Sequence, residues 1–284
     1  MHLETGKKVL SDPGFWVGVV LGSLLLLTAL LGPILSPYDP WDYSFIPFDP
    51  PSAEHFLGIN DGGQDILSEL LLAVRNSLVF GLLAGGIGLI LGVGLGLVSG
   101  WCGGIVDQVI MRVADVILAI PHIMILILVA ALFMPSPWLL ACILACMAWP
   151  TTAKAIRAQT LGIRGSLHVK AAVNMGAGGF YILVRHLLPE MFPLYLIGFA
   201  AKTRMAVFME ATLAILGLMP PDHKSLGMMI NLALKNYYMD VWWNWLAPPV
   251  VCLSLIIMSV TFLAISMEKV LDPRLANALP GGRT

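Results

Sequence analysis

The chain has 284 residues, of which 58% are hydrophobic and only 12% charged, with 16 basic against 17 acidic side chains. A soluble domain carries about 25% charged residues, so this chain lacks the charge to coat a globular surface in water. Soluble enzymes and disordered scaffolds are excluded on that ground, and a net charge of −1 leaves no field for a nucleic-acid partner.

An all-α integral membrane protein remains, and its elements follow in chain order. A bilayer core about 30 Å thick is crossed by about 20 apolar helical residues. Residues 1–14 read as a cytoplasmic tail and residues 15–35 as the first transmembrane helix. That apolar run is longer than a signal-peptide core and no small-x-small cleavage site follows it, so its retention is expected. Residues 36–75 form an external loop, acidic and proline-rich at its start, expected to end in a short helix. The core, residues 76–270, begins with an uncharged run over 76–106, the second span. It carries Gly88, Gly92, Gly96 and Gly100 at intervals of four. Such spacing lets helix backbones approach closely in lipid, within the chain or against another chain. Arg112 and Asp115 stand at i, i+3, so a structural ion pair is expected at the cytoplasmic start of the third span. The uncharged run 116–153 is too long for one span, and Met134-Pro135-Ser136-Pro137 divides it into the third and fourth.

The segment over about 157–190 is the largest cytoplasmic feature. Residues 167–175 suit a short helix that Gly176 would end, and a second helix over about 180–187 would run to Pro189. The fifth span, about 192–218, contains Lys202, Arg204 and Glu210. An ionised group at the bilayer centre costs about 2.5–3.5 kcal/mol on insertion scales, so these three should face protein or a water-filled path. Lys202 and Glu210 lie about 12 Å apart along the axis, too far to pair within the helix. Partners on other helices are expected, making either a buried network or the lining of a translocation pathway. A second external loop, about 219–240, holds an amphipathic stretch over 226–238. The sixth span follows, and residues 271–284 form a cytoplasmic tail.

Lys and Arg collect on the cytoplasmic side of membrane proteins. With both termini inside, Lys7, Lys8, Arg112, Lys154, Arg157, Arg164, Lys170, Arg185, Lys269, Arg274 and Arg283 are cytoplasmic, and only Arg75, Lys224 and Lys235 are external. No catalytic or metal site is expected. The four cysteines fall in or beside apolar spans without ligand spacing, the six histidines are scattered, and the H-E-x-x-H and G-x-S-x-G patterns are missing. Fifteen methionines read as packing residues rather than a soft-metal path.

The cytoplasmic segment reads His168-Val169-Lys170-Ala171-Ala172-Val173-Asn174-Met175-Gly176, then closes on Arg185-His186-Leu187-Leu188-Pro189. It resembles the EAA motif of ABC-importer permeases. The whole chain resembles the C-type permease of dipeptide, oligopeptide and nickel uptake systems. Further matches are Leu57-Gly58-Ile59-Asn60-Asp61-Gly62-Gly63-Gln64-Asp65, Arg75-Asn76-Ser77-Leu78, the run from Asp107 through Met111-Arg112 and Asp115 to Ala119-Ile120-Pro121, the run from Glu210 to Leu218, and Leu271-Asp272-Pro273-Arg274. Three positions depart from the family pattern: Lys170 stands for its glutamate, and Gln64 and Glu69 stand for arginines.

The resemblance implies a type I ABC-importer fold of about six transmembrane helices with a cytoplasmic helix-glycine-helix coupling loop. Within that loop it assigns Lys170, Ala171, Ala172, Gly176, Leu188 and Pro189 to ATPase coupling. It implies a bacterial or archaeal cytoplasmic membrane, peptides, nickel or metal chelates as substrate, and transport by alternating access. Its partners would be a second permease subunit, two ABC ATPase subunits and an extracytoplasmic binding protein. No cofactor is expected on this chain, with ATP and Mg on the partner subunits. The sequence carries no G-x-x-x-x-G-K-[ST] phosphate loop, in keeping with ATPase activity on another chain. The competing reading is an ATP-independent channel or secondary carrier.

Overall fold

A computed structural model describes residues 11–271. Lys7, Lys8, Arg274 and Arg283, with the Asp272-Pro273-Arg274 ending and most of both expected tails, lie outside the described residues. Helix α1, Pro13–Leu35, starts where Pro13 supplies a preset φ and Asp12 caps the Gly14 amide at 3.3 Å. Only Gly18, Leu25, Ala29 and Gly32 are buried along it, so α1 is a peripheral helix with most of its surface outward.

The loop that follows is ordered by local chemistry. Asp39 and Asp42 accept from the amides two residues on, and Tyr38, Phe45 and His55 pack their rings together. Asp65 then caps helix α2, Ile66–Cys102, accepting from the Ser68 amide at 2.8 Å. The short helix expected at the end of this loop and the second span are one continuous helix. At 37 residues α2 is about 55 Å long, well beyond a bilayer core, so its first turns stand outside it.

Gly103, at φ 65°, ends α2 and turns the chain into α3, Gly104–Ala119. Pro121 has no amide hydrogen to donate, and at this break α3 meets α4, His122–Phe133, at a 71° bend. Met134 in the left-handed conformation closes α4, Ser136 caps α5, and Pro137 opens it, so α5 spans Pro137–Arg164. Two short helices follow, α6 (Leu167–Asn174) and α7 (Gly179–Glu190), the latter with a π-helical turn at Leu183–Leu187. Then come α8 (Phe192–Ile215), bent 68° from α7, α9 (Leu226–Lys235) and α10 (Trp242–Leu271). Among the described residues, four helices are long and apolar enough to cross a membrane alone, and up to six spans result if each bent pair is one. Among the described residues there is no sheet, only an isolated bridge between Ile59 and Asp65.

Helix α5 is the most enclosed of the four long helices, with 61% of its apolar window buried. It lies along α2 because the glycine stripe lets it. Gly92 faces Thr152, Gly96 faces the Ala153 carbonyl and Ile156, and Gly100 faces Thr160. The stripe is therefore used within the chain. Near the start of α2, Leu70, Ala73 and Val74 pack with Val207 of α8, Leu226 and Met229 of α9 and Trp245 of α10. Helix α9, amphipathic as its sequence predicts, is thereby seated against the core.

Candidate coupling hairpin and buried ionic network

At the end of the bundle where α2 finishes, α6 and α7 fold back on each other. Gly176 sits at φ 84°, a conformation glycine adopts without a Cβ penalty, and the Ala177 amide reaches back to the Ala172 carbonyl at 3.0 Å. His168 of α6 lies 3.3 Å from Glu190 at the far end of α7. One face of this hairpin is dry. Val169, Ile182 and Leu187 are buried with Leu97 of α2 and Ile156 and Ile163 of α5. Gly179 approaches the Trp101 ring so closely that a Cβ there would clash, and Arg164 donates to the Trp101 carbonyl at 2.9 Å. The other face is open and apolar. Leu167, Met175 and Phe180 are 87%, 86% and 81% exposed. Lys170, Ala171, Gly176 and Pro189 are exposed on the hairpin, and Ala172 and Leu188 are half-buried.

The three charged residues of α8 each find a partner on another helix of this chain. Lys202 is buried and donates to the Ala148 carbonyl and to Thr151 Oγ1 at 3.1 Å, beside Pro150, where the backbone ladder of α5 is already interrupted. Arg204 donates to Thr261 of α10 at 3.2 Å. Glu210 is fully buried and accepts from Ser77 of α2 at 3.1 Å.

Asp115 pairs with Lys154 of α5 at 2.6 Å, in place of the Arg112 partner expected from helix spacing. The reason is packing: α3 lies against α5, which brings a lysine 39 residues away to the carboxylate. Arg112 is exposed and lines a cleft of about 550 Å³ between α3 and α5. The same contact makes a pair that sequence reasoning did not single out. Arg157 meets Asp107 through two nitrogens, each 2.5 Å from a carboxylate oxygen, and the Ser99 hydroxyl donates to the same group.

A second unforeseen network closes the opposite end of the bundle, at the start of α2. Lys224, in the segment before α9, is buried and donates to Gln64 at 2.8 Å and to Glu69 at 3.1 Å. Asn60 donates to the other Glu69 oxygen at 2.8 Å, and Lys224 lies over the Trp41 ring. The sequence did carry a signal here: Gln64 and Glu69 are the two positions that depart from the family arginines. A carboxylate introduced at residue 69 needs a cation, and Lys224 is that cation.

Comparison with known proteins bears on this geometry. A family model described as the binding-protein-dependent transport system inner membrane component matches residues 92–277. The chain is 30% identical to a putative peptide transport system permease protein of Brucella abortus, over 95% of this chain and 91% of that protein. It is also 30% identical to the dipeptide transport system permease protein of Bacillus subtilis, covering 91% of this chain and 81% of that one. A glutathione transport system permease protein of Pectobacterium atrosepticum matches at 30% over 89% and 84%. Among solved structures the fold resembles the MetNI methionine ABC transporter in an inward-facing conformation. The TM-score is 0.55 at 19% identity, over 70% of this chain and 96% of that one.

Proposed function

Because the chain belongs to the binding-protein-dependent transport inner-membrane components, and is thus a multi-pass permease subunit of an ABC importer without an ATPase site of its own, we propose that it carries short peptides across the cytoplasmic membrane. Relatives named for peptide, dipeptide and glutathione transport support that substrate class. The assembly would contain a second permease subunit, two ATPase subunits and an external binding protein, with both termini of this chain cytoplasmic.

One observation carries the mechanism. The α6–Gly176–α7 hairpin offers exposed Leu167, Met175 and Phe180 on one face, while Val169, Ile182 and Leu187 fasten its other face to α2 and α5. An exposed apolar knob seeks a protein partner. A knob rigidly seated on two spans converts a partner's movement into a movement of those spans. ATP binding on the ATPase subunits would then bias one of two packings of the bundle, which is alternating access. The residues that would dock are Lys170, Ala171, Ala172, Gly176, Leu188 and Pro189. Lys202, Arg204 and Glu210 would act mainly as a buried network that sets the position of α8.

Gly176→Pro breaks the turn, and Ala172→Arg places a charge on the docking side. Both variants are expected to insert in the membrane, to lose co-purifying ATPase subunits and to abolish uptake of a radiolabelled dipeptide. Normal subunit recovery in both would remove the hairpin from the mechanism. Mass spectrometry of what the cognate binding protein retains tests the substrate separately.

A further inference from the structure

Glu210, already placed in the buried network of α8, also faces a buried histidine to which no role has been given, His223. Glu210, on α8, is 0% exposed, and His223, in the segment before α9, is 8% exposed. Glu210 Oε1 and His223 Nε2 face each other at 3.8 Å, and each lacks a hydrogen-bond partner among the described residues. The other carboxylate oxygen accepts from Ser77, whose hydroxyl in turn accepts from the Leu226 amide at 3.2 Å. Asn76 donates to the Lys224 carbonyl at 2.7 Å. The pair thus sits where residues 223–226 are stitched to α2 and α8.

A tautomer choice would turn the N–H of the neutral imidazole toward the carboxylate, across a gap longer than a hydrogen bond. It would not remove the charge. Of the cations on neighbouring elements, Lys224 is engaged with Glu69 and Gln64, Lys202 with Ala148 and Thr151, and Arg204 with Thr261, while Arg75 of α2 and Lys235 of α9 are exposed. Asp222 beside His223 is exposed and adds a further negative charge. An unpaired carboxylate in so dry a place is costly, whereas one added proton makes the pair neutral in a single step.

We infer that Glu210 and His223 together bind one proton, forming a site that fastens the outer segment to the core. Burial holds the His223 imidazole below its ordinary value, against the opposing charge of Asp222, so the proton is held through the pair and not by an isolated imidazolium.

Counting protons on both groups tests this. The full chain, reconstituted with its co-purified subunits in phosphatidylethanolamine and phosphatidylglycerol vesicles, is measured at pH 7. Infrared difference spectroscopy reads the carboxyl, assigned by the band that Glu210→Gln removes. Nitrogen-15 magnetic resonance reads the imidazole, assigned by the signal that His223→Gln removes. The expected result is one proton: either a protonated carboxyl with a neutral imidazole, or a carboxylate with an imidazolium. A carboxylate beside a neutral imidazole overturns the site, as does a protonated carboxyl beside an imidazolium. Should Glu210→Gln fail to assemble, His223→Gln alone identifies the carboxyl, because removing the imidazole shifts its band.

Discussion

Glu69 and Lys224 are both buried, so each is tolerable only because the other is there. Removing one partner of such a pair costs about 3–5 kcal/mol, because the remaining charge stays in the dry interior. Lys224→Met is therefore expected to lower the thermal midpoint of the purified protein strongly. The double variant Lys224→Met with Glu69→Gln should recover most of the loss. A double-mutant cycle measures this, and additive losses would show that the pair is not coupled. A second pair acts at the other end and depends on pH. Burial pushes the Asp12 carboxyl up, but the Ser266 hydroxyl, the Lys269 ammonium and the Gly14 amide more than offset this and hold it below the usual range. A carboxylate with a depressed folded value contributes stability above the unfolded value of about 3.9, and loses it as the pH falls through the folded one. Spin labels on α1 and α10 should therefore show a broadened distance at acid pH in the wild type. Asp12→Asn should show it already at neutral pH, and equal distances throughout would discard the contact as a fastening. Helix spacing did not reveal either cation's partner. Lys224 is 155 residues from Glu69, and no local pattern reaches that far.

Among the helices, the contact between α2 and α5 is set by what is missing from side chains. A Cβ on Gly96 would lie 2.6 Å from the Ala153 carbonyl oxygen, a backbone atom that cannot swing aside. Gly96→Ala is expected to push the two helices apart and cost about 1–3 kcal/mol. Gly94 is the control, since nothing lies within 4 Å of its Cβ position. Gly94→Ala should leave the thermal midpoint unchanged or raised, and equal losses at both positions would mean that helix contact is not what the stripe serves. The four-residue spacing was legible in the sequence, but a stripe says only which face is small, not what lies on it. The proline break before Pro137 and the end of α6 before Gly176 were also legible, because each rests on the backbone chemistry of one residue. The fused start of α2 was not. Charged residues at 65, 69 and 75 break a hydropathy run without breaking a helix, whose hydrogen bonds are indifferent to side-chain charge.

For the whole molecule, polarity separates the two ends. The hairpin and Cys102 lie at one end of α2, and the Glu69–Lys224 network lies at the other. Cys102 is exposed, so a variant keeping only that thiol reports the side on which the hairpin lies. A membrane-impermeant maleimide is expected to label it in inside-out vesicles and not in right-side-out ones; the reverse pattern would invert the topology. The class of the molecule was readable from composition alone, because a bilayer imposes apolarity on every exposed span. Its ionic architecture was not, because that depends on which helices touch. The distance along the chain between Glu69 and Lys224 also has a consequence for biosynthesis. A ribosome adds about 5–20 residues per second, so Lys224 is made roughly 8–30 s after Glu69. Throughout that interval the start of α2 carries a carboxylate whose lysine partner has not yet been made. The start of α2 is therefore tied only late in translation, and a chain stalled before residue 224 is left with that end untied.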